Sequence, residues 1–254
     1  INTSLTTTRT QIVTQISQDV IDVNTALASI AKLNSQIGAI EIGSLVRAND
    51  LRDARQQAVE ELSKKIDLFT QEQANGTLTV NFGTAAGALL VSGVFSGNTA
   101  AAATVKLAAD GVPPTLTIRS WTGGEAEIAG NLDAVVPQPT GGTLAARIEV
   151  VNTVIGVSNA VDAAGVGLLR DYDRIARALA QLVNPQQAAG FNLQGSPLYA
   201  TNGNAFFFDD GTGLANSTTA ANVRLNAVVA ADTREIAASS AAGRPNDGAN
   251  ASLT

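Results

Sequence analysis

The sequence predicts a mainly α fold with a β-rich part: an elongated antiparallel helical bundle carrying a small antiparallel β domain. Three observations predict it. Apolar side chains recur at alternating steps of four and three near the start of the chain, and the same spacing returns after a short break. Between these stretches and a third helical one, the period drops to two and glycine and proline punctuate short runs. An interval averaging 3.5 residues keeps one stripe facing a partner helix, whereas alternation suits a half-buried strand. The expected division is a discontinuous helical domain over 1–75 and 141–185, a β-rich insertion over 76–140, and a loop and β-rich segment over 186–254 packing back on the bundle.

The first helix spans the stretch from Ile1 to Glu41. Its stripe is Ile12, Ile16, Val20, Val23, Leu27, Ile30 and Ile37, with Gln11, Gln15, Gln18, Asp22, Thr25 and Lys32 on the other faces. Asn34 falls where the stripe calls for an apolar residue, as a register-setting polar group or a local shift in the seam. Glu41-Ile42-Gly43-Ser44 breaks the pattern, and Leu51, Arg55, Ala58, Leu62, Ile66 and Phe69 resume it. Asn49 or Asp50 is placed to cap this second helix, because a short side-chain acceptor serves first-turn donors that have no partner. A connection this short makes the two helices antiparallel neighbours.

Gln73-Ala74-Asn75-Gly76 is a turn signal, and the alternating run from Thr77 to Phe82 reads as a strand. Further strand-like runs are Ala88 to Ser92, Thr104 to Ala109 and Thr115 to Trp121, and Pro137-Gln138-Pro139-Thr140-Gly141-Gly142 closes the insertion. Thr143 is placed to cap a third helical pattern running through Leu144, Ile148, Val151, Ile155, Ser158, Val161, Gly165, Leu169, Tyr172, Ile175, Leu179 and Leu182. Gly156, Gly165 and Gly167 predict a kink or break between Val157 and Gly167. Asn184-Pro185 predicts an end or bend, since proline disfavours helical geometry in the residue before it. Beyond it, Ala205-Phe206-Phe207-Phe208-Asp209-Asp210 reads as an extended segment anchoring a long loop against the bundle, and Asn222 to Val229 as another strand.

The composition narrows the function classes. The chain has 254 residues, a formal charge of −6 and no cysteine, histidine or methionine. A nucleic acid or an anionic membrane surface calls for a concentrated basic face, which this charge disfavours. Without cysteine and histidine there is no disulfide framework or thiolate nucleophile, and the commonest general base and zinc ligand is missing. No apolar run is long enough for a membrane span. The ends, Ile1 and the stretch Asn250 to Thr254, read as trimmed helices, so the chain is expected to be a piece of a longer one.

Each group that invites a chemical reading has a plainer one beside it. Asp171 and Asp173 flank Tyr172, but residues two apart on a helix point in different directions, and Arg170, Arg174 and Arg177 can pair with them. Asp209-Asp210-Gly211 lacks the donor spacing of a calcium loop. Gly123-Gly124 and Gly141-Gly142 lack the Gly-Lys-Ser/Thr ending of a phosphate loop. Trp121 is a stacking platform or a packing residue. No catalytic, cofactor-binding or metal-binding residue is nominated, and no cofactor is expected.

The residues also carry a resemblance. Lys32-Leu33-Asn34-Ser35-Gln36-Ile37, the stretch from Ala48 to Gln57, and Glu60-Glu61-Leu62-Ser63 resemble the central helices of the flagellar hook-associated protein 1 family, the hook–filament junction proteins. Gly76-Thr77-Leu78-Thr79-Val80, Leu90-Val91-Ser92-Gly93, Gly141-Gly142-Thr143-Leu144, Leu179 to Asn184, Ala189 to Gly195 and Phe206-Phe207 follow in that family's order. Pro185, Gln187 and Asn192 depart from its pattern, all of them around the end of the third helix.

The resemblance implies a structural, non-enzymatic part of the bacterial flagellum, exported unfolded to an extracellular position between hook and filament. Its implied partners are the hook protein and the second junction protein. Self-association would run through terminal helices absent here, leaving this piece monomeric. The alternatives are another axial protein, such as the second junction protein or a flagellin, and a surface adhesin or carbohydrate-binding module using Trp121 and the Phe206 to Asp210 segment.

Overall fold

The computed structural model describes residues 1–41, 47–92, 139–156, 166–197, 218–244 and 247–249, together with the backbone of strands at 104–107, 116–119, 134–135 and 208–209. It divides into two compact units, Arg9–Asn152, and Ile1–Thr8 with Thr153–Thr254. Helix α1, Asn2–Glu41, is about 60 Å long at 1.5 Å per residue. Ile16, Val23, Leu27, Ile30 and Ile37 on its stripe are fully buried, and polar side chains fill its outer faces, as the spacing requires.

Helix α2, Asn49–Ser63, runs antiparallel to α1: Glu41 meets Arg52, Asn34 meets Arg55, and Asp19 meets Lys65. Its start differs from the expected cap. Ala48, not Asn49 or Asp50, holds the capping position without a side-chain bond, and its N–H instead donates to Glu41 Oε1 at 3.0 Å. That carboxylate and Asp50 put negative charge at the helix's positive end.

Helix α2 also ends earlier than its stripe predicts. Phe69 belongs not to the helix but to strand β1, Leu68–Glu72, which pairs antiparallel with β2, Leu78–Phe82. The partner strand is already alternating, so Leu68 and Phe69 gain a ladder of backbone bonds in place of another helical turn. Strand β3, Leu89–Val91, completes an antiparallel sheet in the order β1-β2-β3. A second sheet comprises β4, Thr104–Leu107, β5, Leu116–Arg119, and β6, Ala134–Val135, again antiparallel. Val80, Phe82, Leu90 and Val91 from the first sheet share one buried cluster with the α1 stripe, Leu62, Ile66, Leu144, Ile148 and Val151.

The insertion returns to the point it left. Helix α3, Gly142–Glu149, brings the N–H groups of Thr143 and Leu144 to the carbonyls of Lys64 and Lys65 just past α2, at 3.0 and 3.1 Å. Thr143 therefore does not cap α3 with its side chain; the other helix's terminal carbonyls serve its first-turn donors. Gly142 has φ +82°, and a Cβ there would collide with the Lys65 carbonyl, so glycine is required at this meeting point. Asp67 accepts from the Thr140 N–H and hydroxyl and closes the neck of the insertion.

After α3, a π-helical turn at Val150–Ile155 ends at Gly156, φ +70°, and the chain resumes helix after Gly167, φ +107°. The expected break is bracketed by these two glycines; Val157 to Gly165 lie outside the described residues. Helix α4, Leu168–Ala189, runs on through Pro185, so of the two expected outcomes at Asn184-Pro185 the helix does not end there. Pro185 is exposed, so the Gln181 carbonyl that loses its donor is on a face where water can serve it.

Past α4, Phe191 bridges Ser239 and Pro197. Strand β7, Phe208–Asp209, lies against α4 and pairs with β8, Arg224–Leu225. The expected strand from Asn222 to Val229 is cut short by helix α5, Ala227–Ala231, where Asn226 caps Val228 at 3.0 Å. Ala205 to Phe207, Trp121, Gly123, Gly124, Asp210, Gly211 and the stretch Asn250 to Thr254 lie outside the described residues.

Candidate functional site

The most organised polar cluster of the first unit ties the α1–α2 pair to the first hairpin. Asn34 is 4% exposed, and its amide works like one residue of a strand: Nδ2 donates to the Leu78 carbonyl at 2.7 Å, and Oδ1 accepts the Leu78 N–H at 3.0 Å. Arg55, also buried, donates from one guanidinium nitrogen to Asn34 Oδ1 at 3.0 Å and to the Gly76 carbonyl at 2.7 Å. A helical stripe interrupted by Asn34 and Arg55 is thus a grip on the β1–β2 turn, because buried polar side chains need partners and here find backbone. Asn34 does set register, but against a strand.

Around this grip sits a charged clamp. Arg52 donates to both oxygens of Glu41, at 2.8 and 2.6 Å, and also to Glu72 at the end of β1. The Arg52 hydrogen bonds, with the Ala48 N–H, hold the Glu41 carboxyl down from 4.5 to about 2. Burial pushes the Arg55 guanidinium below its ordinary value, opposed by Glu72. Gly76, φ +79°, brings backbone against Glu41 and Arg52 where a side chain would collide. A second clamp joins three elements: Asp19 of α1, 2% exposed, accepts from Lys65 at 2.7 Å and from Arg147 of α3. Both clusters spend every named charge on a neighbour within the fold.

Asp171 and Asp173, the paired carboxylates of the third helical pattern, are not brought together. Asp171 is exposed, 3.9 Å from Arg174. Asp173 is fully buried and accepts the Ala220 N–H at 2.8 Å. Gly141 and Gly142 lie at the α2–α3 meeting point, packed against Asp67 and the Lys65 carbonyl. Asn192, in the aspartate position of the family pattern, accepts the N–H groups of Gln194 and Ser196 and donates to Glu235 at 2.8 Å. Gln187 accepts the Ala237 N–H at 3.0 Å. These side chains fasten the C-terminal segment to α4. Among the described residues, no group of three or more acidic side chains is placed to hold a metal ion, and no helix is long and apolar enough to cross a membrane.

Sequence reasoning missed this inner face of α4. Its buried positions are Leu169, Asp173, Ala176, Ala180, Asn184 and Gln187, at steps of four, three, four, four and three. The apolar line that the sequence offered as core, Ile175, Leu179 and Leu182, is instead exposed. The usable signal was a second, parallel line of small and amide side chains at the same spacing.

The family model of the flagellar hook-associated protein FlgK helical domain matches residues 1–207. The chain belongs to that family. Its fold is also that of the flagellar hook junction protein FlgK from Burkholderia pseudomallei, with a TM-score of 0.55 and 23% identity over 77% of this chain. The aligned part is 32% of that protein, so this chain corresponds to about a third of its length. No curated protein matches the sequence. A FlgK-family helical domain is a flagellar hook-associated structural element.

Proposed function

We propose that the protein containing this FlgK-family domain is a structural adaptor joining the flagellar hook to the filament, with no catalytic step. The observation that carries this reading is the family match over 1–207, which includes both polar clamps and α4. The interior supports it: Asn34, Arg55, Asp19, Asp173 and Gln187 are all consumed in bonds that fix elements to one another, which suits a part that transmits force. The partners of the reading are the hook protein and the second junction protein. Its site of action is the exterior of the cell, reached by flagellar export, and a chain free of cysteine has no disulfide to undo on that route.

The test is electron microscopy of cells lacking the parent gene, with flagellin assayed in the medium and the full-length gene restored in trans. Bare hooks with flagellin shed into the medium are the expected result. Normal filaments on the mutant cells would sink the reading.

A further inference from the structure

The turn between β1 and β2 carries Asn75-Gly76, one of two Asn-Gly pairs in the sequence. Glycine has no side chain to shield its nitrogen, so the carboxamide of a preceding asparagine lies open to attack from its own backbone. In this turn the two reacting groups are held in opposite ways. Asn75 is exposed, and its Oδ1 accepts the Thr77 N–H at 3.1 Å and the Thr77 hydroxyl at 2.7 Å. Those bonds fold the carboxamide back over the Gly76 peptide and polarise it toward addition, because Oδ1 is where negative charge develops. The nucleophile is withheld. The Gly76 N–H donates to the Gln73 carbonyl at 3.0 Å, and the Gly76 carbonyl accepts from the buried Arg55 at 2.7 Å. A positive φ and the close approach of Glu41 and Arg52 fix the same peptide.

We propose that Asn75 is a self-modifying site, converted to aspartate and isoaspartate through attack by the Gly76 nitrogen, and that the Arg55 grip suppresses the reaction while the hairpin is closed. When the turn opens, hydroxide takes the Gly76 amide proton and the nitrogen bonds to Cγ of Asn75. The Cγ–Nδ2 bond breaks, and Nδ2 leaves as ammonia with a proton from water. A cyclic imide remains. Water then adds to one of its two carbonyls: cleavage at Cγ leaves aspartate, and cleavage at the main-chain carbon leaves isoaspartate. One water is consumed and one ammonia released, without an oxidant or a cofactor.

The two products act differently on the fold. Aspartate keeps both bonds from Thr77, since a carboxylate accepts them as the amide oxygen does. Isoaspartate inserts a carbon into the backbone between residue 75 and Gly76, which moves the Gly76 carbonyl away from Arg55. Each opening that ends in isoaspartate therefore loosens the grip for good, and the hairpin keeps a covalent record of having opened. This chemistry belongs to the turn and stands or falls independently of the hook–filament reading.

Peptide mapping by mass spectrometry tests it on the 254-residue chain, incubated on the alkaline side of neutral both folded and in urea. Asn75 is expected to convert in urea, and more slowly by about tenfold or more in the folded chain, where the reaction waits for a sparsely populated opening. Asn34→Leu removes the amide that Arg55 and Leu78 share; with a native circular dichroism spectrum, it should speed conversion at Asn75 by about tenfold. Asn202, in the other Asn-Gly pair, is read in the same digest and should not follow. Isoaspartate-containing chain, separated by ion exchange on its added charge, should exchange the Leu78 amide faster than unmodified chain. No conversion in urea, equal rates folded and in urea, a natively folded Asn34→Leu chain that leaves Asn75 unaccelerated or accelerates Asn202 equally, or unchanged Leu78 exchange in the isoaspartate form would each overturn the proposal. The comparison of folded chain with urea needs no variant, so it decides even where Asn34→Leu fails to fold.

Discussion

Helices α1 and α4 carry apolar residues at the same spacing and bury opposite kinds of face. Along α1 the inward line is Ile16, Val23, Leu27, Ile30 and Ile37, interrupted by the amide of Asn34 and flanked by the buried carboxylate of Asp19, and most other polar residues look outward. Along α4 the inward line is mostly small or polar, and its large aliphatics are uncovered. The difference follows from what each helix packs on. Neighbours of α1 include helix and sheet side chains that can interdigitate with large aliphatics, as in a close-packed interior. Backbone N–H groups of Ala220 and Ala237 lie against α4, and only hydrogen-bonding side chains on a closely approachable surface can satisfy them. Spacing therefore fixes that a helix has a straight stripe, and the chemistry of the opposing surface decides which stripe is inside.

The strongest way to break this comparison is to truncate both lines. Leu27→Ala should cost about 2–5 kcal/mol in urea unfolding of the chain, since it opens a cavity in a fully buried cluster. A cost no larger than that of Leu179→Ala would mean that the two lines are equivalent after all.

Next in size, Asn34→Leu restores the apolar stripe and yet should destabilise by about 1–3 kcal/mol, because the Leu78 N–H and carbonyl and the Arg55 guanidinium lose their shared partner. Faster hydrogen exchange at the Leu78 amide reads out the effect; unchanged exchange would refute the grip. On the α4 side, Asp173→Ala should cost about 1–3 kcal/mol and accelerate exchange at Ala220, whereas the neighbouring Asp171→Ala should stay within about 0.5 kcal/mol.

A smaller, pH-dependent effect belongs to the first clamp. The folded-state value of Glu41 is depressed from 4.5 to about 2, so its contribution is fully present above the unfolded value and is lost as pH falls through that window. Glu41→Gln should therefore flatten the acid dependence of stability between about pH 4.5 and 2, measured by thermal unfolding across that range. An unaltered slope would place the acid sensitivity elsewhere. The smallest effect of the series is Leu179→Ala, expected to move stability of the dilute chain by no more than about 0.5 kcal/mol.

These contrasts also show what was legible in the sequence. The antiparallel α1–α2 pair, the turn at Gln73–Gly76 and the strands at Leu78–Phe82 and Leu89–Val91 all follow from local period and turn chemistry. The family order of motifs was legible for the same reason, being collinear. Strand β1 was not, because Leu68 and Phe69 continue the helical spacing and only the distant pairing with β2 tips them into a sheet. The roles of Asn34 and Arg55 were half-legible: their polarity in a stripe flagged them, but the backbone groups they serve lie 44 and 21 residues away along the chain. The inner face of α4 was hidden because small and amide side chains give no hydrophobic signal.

The meeting of α2 with α3 has a mechanical consequence. The covalent chain between Ile66 and Gly142 detours through two sheets, but the carbonyls of Lys64 and Lys65 and the amides of Thr143 and Leu144 connect the helix ends directly. Tension meets the two hydrogen bonds and the Asp67 clasp on Thr140 before it reaches the strands. Separating the two helix ends therefore requires these bonds to break, while the strands of the detour can stay paired.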